Sequence, residues 1–219
     1  MNGGPLKRLL VLVCGLAAAT SLIQVAVPAS AFAQTTVDEW STVKAPPAPE
    51  LKPVTIDPKV TALLILDIQK QNCNMERRPR CVASVPKIQG LLARTRAKGV
   101  PVIYSLGTGT AADICQEVAP VGGEPVVTSG PDKFLGTDLE KILKERGITT
   151  VIVTGTAAHG AVIYTASGAA LKGFKVVVPV EGMSAENTYA EQYTAWHLVN
   201  APRVGAQVTL TRIDMIQYP

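Results

Sequence analysis

Residues 61–66, Thr-Ala-Leu-Leu-Ile-Leu, form an unbroken apolar run that stops at Asp67. That is the pattern of a strand buried on both faces with a polar group at its carboxyl end. Residues 82–98 then change period: Ile88, Leu91, Leu92 and Thr95 fall on one face of a helix, and Gly99 closes it. Residues 100–106 predict a second strand, 107–123 a loop, 124–128 a short strand, and 136–146 a helix that stops at Gly147. A β-branched strand follows at 149–154, a turn at 155–159, and a helix of small residues at 161–172 closed by Gly173. Residues 175–179 read as a strand, 191–199 as a helix and 207–210 as a last strand. Strands and helices in such regular alternation imply a parallel sheet covered on both faces, a three-layer α/β domain with right-handed crossovers. A ligand crevice in such a sheet lies outside the carboxyl ends of the strands. Asp67, the loop after Leu106, residues 128–133, the turn at 155–161 and the residues after Val180 are therefore expected around one pocket.

The chain ahead of this domain has a different character. Lys7 and Arg8 precede an apolar run from Leu9 to Val27, and Ala31-Phe32-Ala33 follows. This reads as a secretory signal peptide, residues 1–33, cut after Ala33; the competing reading is an uncleaved anchor, since the run is about long enough to cross a bilayer. Residues 34–59, with Pro46, Pro47, Pro49, Pro53 and Pro58, read as a Pro-rich arm, and 60–219 as the folded domain, with no repeat and no second domain. Export places the protein in the periplasm or outside the cell. In an oxidising compartment Cys73 and Cys81, which bracket a basic segment, are consistent with a short disulfide loop, leaving Cys115 either buried and inert or reactive.

Composition narrows the partners. Hydrophobic residues make up 47% of the 219, charged residues 17% and aromatic residues 5%, which excludes a disordered, collagen-like or disulfide-dense chain. The 21 Lys and Arg face 17 Asp and Glu; without Lys7 and Arg8 the basic count is 19, close to neutral. There is no basic stripe for nucleic acid and no cationic helix face for stable membrane association after cleavage, so the expected partner is a small-molecule substrate. The Ala- and Gly-rich helix 161–172 permits close packing, and a homo-oligomer contact is one use for it.

Three segments together resemble the isochorismatase-like hydrolases, or cysteine hydrolases: "LLILDIQ" from Leu63, "DKFLGTDLEKIL" from Asp132, and "RGITTVIVTGTAAHGAVIYTASGAALKGFKVVVPVEG" from Arg146. The resemblance implies a Rossmann-like αβα fold with about six parallel strands, and cleavage of amide or related C–N bonds by an Asp, a Lys and a Cys. Asp67 falls on the family's acidic position, which shuttles a proton. The family lysine corresponds to Thr128 or Ser129, whereas this chain has Lys133 directly before Phe134; Lys133 either supplies the same charge by another path or is a solvated surface charge. Gly155, Val162, Thr165 and Ala166 match the nucleophile segment, but Ala161 stands where the cysteine should be.

An alanine cannot attack a carbonyl, so the thiol mechanism is in question unless Cys115 reaches in from its loop. Asp67, Lys133 and His159 are the candidate catalytic residues. The amides around Gly160 and Ala161 are the candidate anion site at the start of a helix, and Gln69 is a further candidate for substrate binding. The family branch that hydrolyses a vinyl ether uses the Asp as proton donor and needs no thiol, although its substrate is cytoplasmic. His159 has either a direct role or that of fixing its turn, and helix packing accounts for His197. No histidine set follows strand two, and Gly107-x-Gly109 is too short for a dinucleotide fingerprint, so neither metal nor cofactor is expected. Two functions follow: a hydrolase of C–N amide-type or vinyl-ether-type bonds without the usual thiol, or a catalytically lapsed member that binds a small molecule.

Overall fold

All six residues of Thr61–Leu66 (β2) are buried, and alternate side chains enter different cores, which makes β2 a central strand of its sheet. The computed structural model describes Met1 and residues 35–219; the expected signal peptide lies outside the described residues, apart from Met1. The chain divides into two compact units, 1–46 and 47–219. In the first, Thr36–Glu39 (α1) is a single turn closed by a reciprocal capping box between Thr35 and Asp38.

In the second unit, Val54–Thr55 (β1) is followed by β2, Pro79–Ala97 (α2), Val102–Leu106 (β3), Val126–Thr128 (β4), Leu139–Glu145 (α3) and Thr150–Thr156 (β5). Then come Ile163–Leu171 (α4), Lys175–Pro179 (β6), Met183–Ser184 (β7), Thr188–Asn200 (α5), Val208–Thr211 (β8) and Ile216–Gln217 (β9). The main sheet runs β4-β3-β2-β5-β6-β8, with every pair parallel and β7 attached to β5. Because side chains alternate across a strand, Leu63 and Ile65 pack with Ile88, Leu91 and Leu92 of α2, while Ala62, Leu64 and Leu66 join Leu139, Leu143, Ile163, Ala166 and Leu198 of α3, α4 and α5. One helix thus covers one face and three cover the other, the three-layer α/β architecture.

Differences from the sequence-based expectation have local causes. The helix expected at 82–98 starts earlier because Pro79 serves at its first position, where a missing N–H costs nothing, and it ends where Gly99 takes φ 69°. The helix expected from 161 is preceded by one π-type turn, 158–162, because Gly160 leaves helical geometry at φ −127°, ψ −107°. The helix expected at 191–199 begins at Thr188, since the Asn187 side chain accepts the Ala190 N–H at 3.0 Å. Residues 47–59 belong to the folded unit: β1 pairs with β9, Lys52 N–H donates to Leu210, and Ile56 is 1% exposed. The expected loop 107–123 contains two short 3₁₀ turns, and its Ile114 bridges Gln69.

Cys73 and Cys81 form a disulfide that ties the β2–α2 loop to the first turn of α2, and both are buried. Closing so short a loop restricts the unfolded chain. Reduction, or replacing both cysteines by serine, is expected to lower unfolding free energy by about 2.5 kcal/mol. Urea unfolding with and without reductant measures the difference.

Candidate functional site

Asp67 lies directly after β2 in the left-handed region, φ 54°, so the chain turns sharply there and the carboxylate sits over the strand ends. Two contacts from β3 fix it: its N–H donates to Ser105 O at 3.2 Å, and the Ser105 hydroxyl donates to Asp67 Oδ1 at 2.7 Å. The parallel register, Leu66 opposite Ser105, brings these groups together. On the other flank Leu66 is opposite Gly155 of β5, and a Cβ at Gly155, whose φ is 136°, would collide with Leu66 O. The strands approach this closely because that position has no side chain.

Lys133 arrives from the segment between β4 and α3. Its Nζ lies 2.8 Å from Asp67 Oδ2, and the side chain is 0% exposed. The ammonium also donates to Ser129 O at 3.0 Å and Leu106 O at 3.4 Å, so all three of its donors have acceptors. The backbone of Lys133 is held as well: its N–H donates to Thr165 Oγ1 of α4, and its carbonyl accepts the Thr137 hydroxyl. Next to it Phe134 stacks on Phe174 with centroids 6.1 Å apart. A lysine ahead of a helix is usually solvated; this one is driven inward by an aromatic anchor and retained by a carboxylate.

The remaining candidates spread out. After a cis Thr156–Ala157 peptide the chain enters the turn 158–162, which carries Ala161, 4% exposed. Of the amides considered for an anion, Gly160 N–H and Val162 N–H both donate to Ala157 O, at 3.0 and 3.2 Å. Gln69 is fully buried, with Nε2 donating to Thr108 O at 2.7 Å and Oε1 accepting from Gly107 N–H at 3.0 Å, so its amide holds the loop after β3. His159 faces Glu186 at 3.9 Å instead of the Asp67–Lys133 pair, and buried Arg78 holds Glu186 at 2.6 Å. His197 leans on Tyr193, ring centroids 6.0 Å apart.

Cys115 belongs to the core on the α2 face, with its thiol against Cys73 O, whereas Ala161 belongs to the core on the other face. Burial pushes the Cys115 thiol above its ordinary range, so it stays protonated at neutral pH. It does not reach Ala161 from its loop. Among the described residues no group of three or more His, Cys, Asp or Glu is placed to hold a metal.

Sequence reasoning passed over Ser105, whose signal was a lone hydroxyl near the end of the apolar run 100–106, and also Arg78 and Glu186, whose pairing spans distant loops.

Removing one partner of a buried pair strands the other charge. Asp67→Ala and Lys133→Ala are each expected to cost about 3–5 kcal/mol, and the double variant less than the sum of the singles. Chemical unfolding of the four proteins measures the coupling. Native Cys115 should resist iodoacetamide at pH 8 and react once the chain is unfolded, because burial and a raised pKa both suppress the thiolate. Intact-mass analysis reads the modification.

Comparison with known proteins places this geometry. The isochorismatase domain model matches residues 61–212, the span that carries Asp67, Ser105, Lys133 and Ala161. N-carbamoylsarcosine amidase of an Arthrobacter species is 33% identical over 126 residues, covering 44% of this chain and 48% of that enzyme, so the match spans about half of the relative's length. A secreted isochorismatase effector of Verticillium dahliae is 30% identical over 139 residues, 58% of this chain and 73% of that protein. An isochorismatase family protein of Desulfovibrio vulgaris shares the fold at TM-score 0.64 and 22% identity, over 71% of this chain and 95% of that one. With a family domain spanning most of its length and the three-layer sheet that its structural neighbours share, this chain belongs to the isochorismatase family.

Proposed function

We propose that the protein is an exported hydrolase that cleaves a C–N amide-type or vinyl-ether-type bond of a small molecule at a site centred on Asp67, without a thiol. The observation that carries this reading is the buried carboxylate–ammonium pair at the carboxyl ends of the strands, Asp67 Oδ2 to Lys133 Nζ at 2.8 Å. A merely structural chain has little reason to bury two charges, because their desolvation offsets much of their attraction. The amidase named among the relatives favours C–N chemistry, and the secreted effector favours export.

With Ala161 in the nucleophile's place, the attacking group is water. In C–N cleavage Asp67 takes a proton from water as its oxygen adds to the carbonyl carbon, then passes that proton to the departing nitrogen. The C–N bond breaks, and an acid and an amine leave. In vinyl-ether cleavage the acid form of Asp67 gives a proton to carbon, and water adds to the oxocarbenium carbon and returns a proton to the Asp67 carboxylate. The hemiketal so formed breaks its C–O bond to leave a carbonyl compound and an alcohol. Lys133 fixes the carboxylate and balances its charge, Ser105 sets its orientation, and the Ala161 amide at the head of α4 faces developing negative charge. Gly160 and His159 lie at the rim from which substrate enters, and buried Gln69 supports it from below by holding the loop after β3.

A second reading rests on Ala161 itself: a lapsed member that retains the pocket to bind a ligand. Purified protein is tested against amides, ureides, carbamates and vinyl ethers, with product followed by NMR. Turnover is expected, and Asp67→Asn, which preserves shape, should reduce it by about a hundredfold or more. A tight ligand with no turnover would establish the second reading, and turnover indifferent to Asp67 would remove the first.

A further inference from the structure

The exposed positions of α5 are Thr188, Tyr189, Tyr193, Trp196 and Asn200, and none of them is charged. The acid and the histidine of this helix are used within the chain: Glu191 pairs with Arg80, and His197 leans on Tyr193. Tyr189 is 74% exposed, Tyr193 43% and Trp196 41%. One helix face thus shows water two of the chain's 5 Tyr and one of its 2 Trp. A surface helix ordinarily turns charged residues to solvent, whereas the centre of a protein interface is poor in charge and rich in Tyr and Trp. α3, on the same side of the sheet, follows the first pattern with exposed Lys141, Lys144 and Glu145. α5 follows the second.

The stripe also fits a copy of itself. Tyr189, Tyr193, Trp196 and Asn200 stand four, three and four residues apart, the spacing of neighbours on one helix face, and the order of spacings is the same from either end. Two copies of α5 laid antiparallel about a two-fold axis between Tyr193 and Trp196 therefore bring Tyr193 against the partner's Trp196, and Tyr189 against the partner's Asn200. Asn200 is oriented for this contact: its Nδ2 donates to Trp196 O at 2.8 Å, which leaves its Oδ1 to accept a tyrosine hydroxyl. Because the stripe has no charge, two copies meet without like-charge repulsion. The small residues of α4 are spent elsewhere, since Ala166, Ala169 and Ala170 are buried in the chain's own core. We propose that the exposed face of α5 pairs with the same face of a second copy in an antiparallel, two-fold dimer. The 13 residues of α5 span about 20 Å, so the contact is smaller than the roughly 1,600 Å² of a standard interface, and the dimer is reversible with a dissociation constant on the order of micromolar.

The protein expressed from its full sequence is followed by sedimentation velocity between about 1 and 200 μM. A monomer–dimer equilibrium is expected across that range. Tyr193→Glu and Trp196→Lys should each weaken it by about tenfold or more, with circular dichroism reporting an unchanged fold. Tyr189→Ser, at the most exposed position of the stripe, weakens pairing without touching the core. Mixing the Tyr193→Glu and Trp196→Lys proteins should restore the dimer, because the antiparallel register then sets the introduced carboxylate against the introduced ammonium and keeps one native Tyr193–Trp196 contact. Leu135→Ser and Trp40→Ser, at exposed positions outside α5, should leave the equilibrium unchanged. The proposal is overturned by a monomer at every concentration, by association indifferent to Tyr189, Tyr193 and Trp196, or by a mixture that stays monomeric. It is equally overturned if Trp40→Ser abolishes the dimer, because the N-terminal arm would then be what holds the copies together.

Discussion

The contact between Asp67 and Lys133 sets the terms for everything around it. Two charges taken out of water must be compensated locally, and here the compensation is nearly complete: the carboxylate has Lys133 on one oxygen and Ser105 on the other, and the ammonium has Asp67 and two backbone carbonyls. The compensating groups come from several elements. Ser105 and Leu106 require β3 in register with β2, Ser129 requires β4 beside β3, and the Lys133 backbone requires Thr165 on α4. The site is therefore assembled by the same strand order that builds the sheet, and a slip of one residue at β2–β3 would separate Ser105 from Asp67.

Close approach is the second constraint. Gly155 lets β5 lie against the end of β2, and the chain then turns directly into the segment 158–162 that presents Ala161 at the head of α4. Backbone geometry ahead of α4 is thus organised around a position whose side chain is a methyl group. The proposed hydrolase and the proposed binding protein differ in what that methyl group leaves room for.

The β2–α2 loop shows how the surface is tied to this centre. The disulfide holds the start of α2, Arg78 at its N-cap holds Glu186, and Glu186 faces His159 in the turn that precedes Ala161. Loops that follow three different strands are joined at one rim, which limits how far the turn can move.

Much of this protein was legible as pattern. Continuous apolar runs predicted the parallel strands, glycines after periodic segments predicted where helices stop, and a carboxylate at the end of the first buried run put Asp67 at the carboxyl end of β2. The lack of a thiol at 161 is also a fact of sequence, since no fold supplies an atom the residue lacks. Other features needed three dimensions. Lys133 reads as either a site charge or a solvated one until Phe134 and Thr165 draw it inward, His159 reads as either a direct participant or a residue fixing its turn until it is found facing Glu186, and Cys115 reads as inert or reactive until its core proves to be on the other face of the sheet. Residues 47–59 read as an arm until β9 offers an edge to pair with. Periodicity records which face of an element is buried, a local property; where a long side chain ends, and which distant segment satisfies it, depends on contacts between residues far apart in the chain, and only the tertiary structure decides those.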